Sequence, residues 1–136
     1  VVHLLADAGF DVYGTTVNIS QKMVAEKKDV VQRFITATLE GWAGYLKNGE
    51  GNAAANALIK AANSDMSDEK IAFATKTMID RGIVLSGDAL KLGIGAMTDA
   101  RWKSFYDQMV AAGVLPANID ISKAYSLQFV NKGTGI

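Results

Sequence analysis

Apolar side chains recur at spacings of three and four between about Asp29 and Lys47, and this periodicity constrains the fold most. A stripe this broad is typical of an amphipathic helix that buries one face. Asp29 lies at its start, where a carboxylate meets unpaired amide protons, and Asn48-Gly49 ends it because both residues tolerate left-handed backbone angles. The stripe comprises Val31, Phe34, Ile35, Thr38, Trp42, Tyr45 and Leu46.

Further helices are predicted on both sides of this one, which makes the chain mostly α-helical. Ser20, Ser67 and Thr98 each offer an N-cap oxygen in front of a helical pattern. The glycines at Arg81-Gly82 and Gly113 are expected to stop the helices that begin after Ser67 and Thr98. The predicted segments are a short helix to about Lys27, helices over about Gly51–Ala62, Ser67–Asp80, Thr98–Ala112 and Ile121–Val130, one turn at Ala89–Leu92, and a frayed tail from Lys132 to Ile136.

Residues 1–19 differ in kind from the rest of the chain. Thr15–Ile19 alternates weakly and is rich in β-branched residues, so it predicts a strand, and Val1–Leu5 is a candidate for a second. A strand cannot satisfy its own backbone hydrogen bonds. We therefore expect partner strands in sequence that precedes Val1.

Composition excludes several classes of function. The 136 residues suffice for one domain with a core, and 14 basic and 14 acidic side chains cancel without a basic stripe, so nucleic acid is not an expected partner. The chain has no cysteine, which excludes disulfides, thiolate catalysis and cysteine zinc sites. The start lacks an initiator Met and the features of a signal peptide, so we expect the chain to begin inside a larger protein.

Six segments follow one another along the chain in a characteristic order: Asp11–Val17, Asp29–Ala37, Gly41-Trp42, Met97–Trp102, Gly113–Leu115 and Ile119–Ser126. Together they resemble one family of bacterial solute-binding proteins, the nitrate/sulfonate/taurine and thiamine-pyrimidine family that serves ABC importers. Lys27-Lys28 stands where that family usually has Asn-Pro, and Ser126-Leu127 where it often has Thr-Asn.

The resemblance implies the C-terminal half of a two-lobe α/β protein with the type II periplasmic-binding-protein fold. Residues 1–19 would be the crossover strand returning to the first lobe, and residues 20–136 the helical part packing on it. The implied function is capture of a small polar solute, such as a sulfonate, nitrate, taurine or a pyrimidine, without catalysis. The solute would then pass to the permease subunits of an ABC importer. The implied location is periplasmic or extracellular. One version of this prediction adds a membrane anchor in a missing N-terminal segment.

The ligand-binding residues we predict are Asp11, Tyr13, Gly14 and Thr15. A turn before a hinge strand lets backbone amides, an aromatic face and a carboxylate converge on a polar solute. The alternative is that Asp11 and Gly14 form a turn while Tyr13 packs on a neighbour. Catalytic residues, metal ligands and cofactors are not predicted, because His3 is the single histidine and no catalytic order of residues appears.

Two further patterns favour structural interpretations. The segment Gly93–Thr98 lacks the lysine of a phosphate-binding loop, so we interpret it as the entry to a capped helix. Trp42, Trp102, Phe105 and Tyr106 have helical spacing and are predicted to be core residues rather than an aromatic ligand box.

Two alternative functions stay open at this point. One is a thiamine-pyrimidine biosynthetic enzyme of the same fold, whose cysteine motif would lie upstream of Val1. The other is a helical module that associates with itself through its apolar helix faces and the strand edge at Thr15–Ile19.

Overall fold

A computed structural model describes residues 2–48 and 52–136 of the chain. The described part is 56% helical and contains no strand. Two short 3₁₀ turns, Leu5–Ala8 and Ile121–Lys123, accompany the helices. The α-helices are α1 (Gln21–Glu26), α2 (Lys28–Asn48), α3 (Ala53–Ala62), α4 (Asp68–Asp80), α5 (Ala89–Leu92) and α6 (Asp99–Ala111).

The three predicted N-caps are confirmed. Ser20, Ser67 and Thr98 precede α1, α4 and α6, and each side-chain oxygen accepts a hydrogen bond from the backbone N–H three residues later. These bonds satisfy donors that the first helical turn leaves unpaired. The predicted turn at α5 is confirmed as well, while the glycines at positions 49 and 51 lie outside the described residues.

Glycine ends α4 and α6 as predicted, and the reason is a left-handed backbone angle. Gly82 has φ 57° and Gly113 has φ 71°. After α6, the Gly113 N–H donates to the Val110 carbonyl at 3.0 Å and the Val114 N–H donates to the Met109 carbonyl at 2.9 Å. This pair of bonds is the Schellman motif, which absorbs carbonyls that the last turn leaves unpaired.

The predicted α/β fold is wrong for the described part of the chain. Thr15–Ile19 has no regular secondary structure and forms no strand, and the described residues of Val1–Leu5 form none either. Thr15 to Asn18 are exposed, so water can satisfy their backbone groups where no neighbouring strand does. The type II periplasmic-binding-protein fold, with its sheet, is therefore not present in these residues, whose character is helical.

The predicted helix over Ile121–Val130 is also wrong beyond its first turn. Asp120 Oδ1 accepts hydrogen bonds from the Ser122 N–H at 3.2 Å and from its hydroxyl at 2.6 Å. Ser126 Oγ accepts from the Gln128 N–H at 3.4 Å. Such local bonds between side chain and backbone compete with the helical ladder, and here they replace it after Lys123.

The tail from Lys132 to Ile136 is ordered, contrary to the prediction that it frays. The Ile94 N–H donates to the Thr134 carbonyl at 2.8 Å, and the Gly133 N–H donates to the Leu92 carbonyl at 3.0 Å. These two backbone bonds join the tail to the last residue of α5 and to the loop that follows it. Tail residues are thus held by partners about forty positions upstream rather than by a local pattern.

The chain divides into two compact units by spatial contact. The first unit comprises Val1–Val31 and Met97–Val130, and the second unit comprises Gln32–Ala96 and Asn131–Ile136. Five buried apolar residues belong to the second unit: Ile35, Ile71, Ala89, Ile94 and Ala96. The predicted boundary at residue 19 concerns a role in a larger protein and stays a prediction.

The four aromatic residues predicted to lie in the core are less buried than expected. The Trp42 residue is 40% exposed, so it is not a core residue. Trp102, Phe105 and Tyr106 on α6 are half-buried. Among the helices of the described residues, none has the length and apolar character needed to cross a membrane.

Candidate functional site

Arg101 holds the predicted site residues Asp11 and Tyr13 within the first unit. Its Nη2 atom lies 2.6 Å from Asp11 Oδ1 in an ion pair. The same Nη2 donates to the Val12 carbonyl at 2.9 Å, and Nε donates to the Asp11 carbonyl at 3.3 Å. The guanidinium carbon lies 4.3 Å from the centre of the Tyr13 ring. A planar fork with several donors makes this combination of contacts, which the single ammonium of a lysine cannot.

Three aromatic rings pack against one another beside Arg101: Tyr13, Trp102 and Tyr125. The Tyr13 ring lies 5.3 Å from Trp102 at an interplanar angle of 47°. Trp102 in turn stacks on Tyr125, with centroids 4.9 Å apart and planes within 5° of parallel. Trp102 therefore lies between two tyrosines, one from the N-terminal segment and one from the C-terminal segment.

Two hydrogen bonds fix the tyrosines of this stack. Tyr13 Oη accepts from the Thr98 N–H at 2.8 Å, at the start of α6. The Tyr125 hydroxyl donates to Asp99 Oδ1 at 2.6 Å. That bond raises the pKa of Tyr125, because the phenol proton is shared with a carboxylate, and removal from water raises it further.

We call this set the Arg101 cluster: Asp11, Tyr13, Asp99, Arg101, Trp102 and Tyr125. One polar atom within it is unsatisfied. Trp102 Nε1 is buried and has no hydrogen-bond partner among the described residues. An unpaired buried donor costs about 1–3 kcal/mol, so this indole would gain from an acceptor that entered the cluster.

The structure brings two of the four predicted ligand residues into the Arg101 cluster and leaves the other two at its edge. Gly14 and Thr15 are exposed, and a Cβ added at Gly14 would meet nothing within 4 Å. Tyr13 packs on neighbours, as the structural alternative stated. The Asp11 side chain is paired and yet 65% exposed, so it remains accessible to a solute.

Sequence reasoning missed Arg101, Asp99 and Tyr125 as partners of the predicted site. All three lie within segments that carry the family resemblance, but Asp99 and Arg101 were interpreted only as the first turn of a capped helix. Arg101 and Asp11 are 90 positions apart in the sequence. No local spacing signals a pair at that distance.

An open pocket of about 420 Å³ adjoins the Arg101 cluster through Asp99 and Tyr125. Lys103, Tyr106 and Asp107 from α6 and Ile121 from the following turn complete most of its wall. The four predicted ligand residues are not among the residues that line it. No group of three or more potential metal-ligating side chains occurs in residues 2–48 and 52–136. The contacts within the Arg101 cluster are hydrogen bonds, an ion pair and aromatic stacking.

The fold and this cluster define a helical protein with an arginine and aromatic cluster in its first unit. Comparison with protein-family models, curated proteins and solved structures finds no match.

Proposed function

We propose that the chain is part of the substrate-binding component of an ABC importer. In this role it would help to capture a small polar solute outside the cytoplasmic membrane and deliver it to the permease subunits. The resemblance described above motivates the proposal. The segment from Asp11 to Thr15 would contribute the contacts to the solute.

One structural observation supports the proposal in addition to the sequence resemblance. Three of the segments that resemble the solute-binding family, Asp11–Val17, Met97–Trp102 and Ile119–Ser126, all contribute to the Arg101 cluster. Segments this far apart in sequence contact one another only if the fold brings them together. Their convergence supports a shared role for the three segments.

The Arg101 cluster also gives Gly14 and Thr15 a fixed support. Bonds from Arg101 to the carbonyls of Asp11 and Val12 hold the backbone immediately before them. A pre-positioned loop loses less conformational entropy when a solute binds, so more of the contact energy appears as affinity. The exposed backbone at Gly14 and Thr15 is available for hydrogen bonds.

Charge favours a particular kind of solute within the proposed class. Asp11 directs an accessible carboxylate toward the solvent, with one oxygen paired to Arg101. A solute with an ammonium or amino group gains from this carboxylate, whereas a simple anion such as nitrate is repelled by it. We therefore place taurine and aminopyrimidines ahead of nitrate.

Isothermal titration of the chain with taurine, methanesulfonate, nitrate and an aminopyrimidine tests the proposal. We expect one of the amine-bearing solutes to bind, and Asp11→Asn to weaken that binding about tenfold, equivalent to about 1.4 kcal/mol. Asp80→Asn is the matched control, because Asp80 pairs with Lys76 one turn away on the exposed surface of α4 in the second unit, and it should leave the affinity unchanged. Absence of binding by all four solutes, or an equal loss in both variants, would contradict the proposal.

A further inference from the structure

A second pocket, unrelated to the Arg101 cluster, lies within the second unit. It has a volume of about 430 Å³ and is walled by α2, α3 and α4. Pockets that hold small molecules typically measure about 300–1,000 Å³. We call it the Trp42 pocket; the lining residues that matter here are Gly41, Trp42, Tyr45, Leu58, Ile71 and Thr75.

The wall of the Trp42 pocket is apolar and carries no charge among the described residues. Ile71 and Thr75 are buried, with 4% and 1% of their surface exposed. Trp42 and Leu58 keep 40% and 72% exposure. An apolar occupant would remove these two side chains from water. A charged occupant would lose hydration without gaining an ionic partner, so the uncharged wall favours a neutral molecule.

A short chain of hydrogen bonds forms the polar edge of this pocket. The Tyr45 hydroxyl donates to Asn56 Oδ1 at 2.9 Å, and Thr75 Oγ1 lies 3.1 Å from the same tyrosine oxygen. Tyrosine has one hydroxyl proton and the Asn56 oxygen accepts only, so Thr75 must be the donor in the second bond. Both hydroxyl protons are thereby used inside the protein. Thr75 is buried, so the partly exposed Tyr45 oxygen is the acceptor within reach, and an occupant must bring its own N–H or O–H donor.

The aromatic wall indicates the rest of the occupant. Trp42 and Tyr45 meet edge to face, with centroids 6.4 Å apart and an interplanar angle of 83°. Trp42 is 40% exposed and lines the pocket together with Tyr45. An aromatic occupant can therefore pack against Trp42, in a stacked or an edge-to-face arrangement, within the pocket that Tyr45 also lines.

We propose that the Trp42 pocket binds a small neutral aromatic molecule with one hydrogen-bond donor, of the phenol or indole class. The ring packs against Trp42 and Leu58, and the donor bonds to the hydroxyl oxygen of Tyr45. This site is independent of the polar solute proposed for Asp11 to Thr15. The two sites belong to different units and select opposite chemistry.

Ligand titrations with four probes test the chemical class. p-Cresol and indole should bind. Toluene should bind about three- to tenfold more weakly than p-cresol, because one neutral hydrogen bond contributes about 0.5–1.5 kcal/mol. Benzoate should not bind measurably, because its charge finds no partner in the wall. Equal affinity for p-cresol and toluene, binding of benzoate, or no binding of p-cresol and indole would each overturn the proposal.

Two glycines on α2 supply a matched pair of variants that locates the binding. A Cβ added at Gly41 or at Gly44 would meet nothing within 4 Å, and leucine is a much better helix former than glycine. Both variants should therefore fold. Gly41→Leu places a side chain in the Trp42 pocket, whereas Gly44 is not among its lining residues.

Gly41→Leu should weaken p-cresol binding at least tenfold, while Gly44→Leu should leave it unchanged. Light scattering of the same samples identifies a different occupant. If wild-type chain forms a dimer that Gly41→Leu separates, and p-cresol does not bind, the pocket receives a second copy and the proposal is wrong. A loss of affinity of equal size in both variants would also overturn it.

Discussion

The two units of the chain are held by contacts of different kinds. In the first unit, the Arg101 cluster joins distant segments through a side-chain fork, an ion pair and stacked rings. In the second unit, backbone meets backbone where Gly93 approaches the tail at Gly133 and Thr134. A substitution in the Arg101 cluster removes only some of its bonds. One atom added at Gly93, in contrast, prevents the two backbone segments from approaching so closely. The first unit should therefore tolerate substitution in steps, and the second should not.

The largest expected effect is on the second unit. Gly93 has φ 93° and ψ 167°, a region populated almost solely by glycine. A Cβ there would lie 2.4 Å from the Thr134 backbone nitrogen and 2.7 Å from the Gly133 carbonyl carbon. Gly93→Ala should lower the free energy of unfolding by about 3 kcal/mol or more, from backbone strain together with loss of the tail contact.

Gly87→Ala is the matched control for this prediction. Gly87 also has a left-handed angle, φ 53°, but a Cβ there would meet nothing within 4 Å. It should cost only about 1–2 kcal/mol, from the backbone angle alone. Urea unfolding followed by ¹⁹F resonances of 5-fluorotryptophan suits this test, because the chain has two tryptophans, and Trp42 and Trp102 lie in different units. If both variants lower the free energy of unfolding equally, the close backbone approach at Gly93 is not what distinguishes the second unit.

The next effect in size is on the first unit. Arg101→Lys retains the positive charge but loses the geometry that reaches the Asp11 carboxylate and two carbonyls together. We expect the free energy of unfolding to fall by about 2 kcal/mol, the sum of two or three partly exposed hydrogen bonds. The Trp102 resonance should shift, because Arg101 also covers the ring of Tyr13 that packs against Trp102.

Lys103→Ala on the same helix is the control for Arg101. Lys103 and Asp107 form an ion pair one turn apart, with 68% and 55% of their side chains exposed. Such pairs contribute about 0.3–0.5 kcal/mol, so this variant should be nearly neutral. If Lys103→Ala costs as much as Arg101→Lys, the cluster has no special part in holding the first unit.

The features predicted correctly from sequence are those that neighbouring residues determine. Ser67 and Thr98 cap helices because an oxygen stands three residues before an unpaired N–H, and Gly113 ends α6 because it alone accepts the left-handed angle there. A strand at Thr15–Ile19 would need a neighbouring strand, which the described residues do not supply, and the order of the tail depends on partners about forty positions upstream. Local composition carries no information about those partners.

The candidate site divides in the same way. Asp11 and Tyr13 are predicted as ligand residues from a local pattern, a carboxylate and an aromatic ring beside a glycine, and their role in binding stays a prediction. Their partner Arg101 lies 90 positions later and was interpreted as part of a capped helix. The three segments that share the cluster were each identified by resemblance, but their contact becomes visible only in the structure.

The smallest effect separates the two units by pH. The hydrogen bond from Tyr125 to Asp99 raises the pKa of Tyr125 above its ordinary value of 10.0, so the folded chain holds this proton more tightly than the unfolded chain does. The bond therefore stabilises the fold fully below about pH 10, and its contribution disappears as the pH rises through the folded pKa.

Tyr125→Phe keeps the stacking on Trp102 and removes the proton, so the decline in urea midpoint above pH 10 should be shallower than in wild type. Asp99→Asn should reduce the same slope, because it removes the carboxylate that accepts the bond. Both changes should appear at the Trp102 resonance and leave the pH dependence at Trp42 unaltered. An equal change at both resonances would show that the two units respond to pH as one.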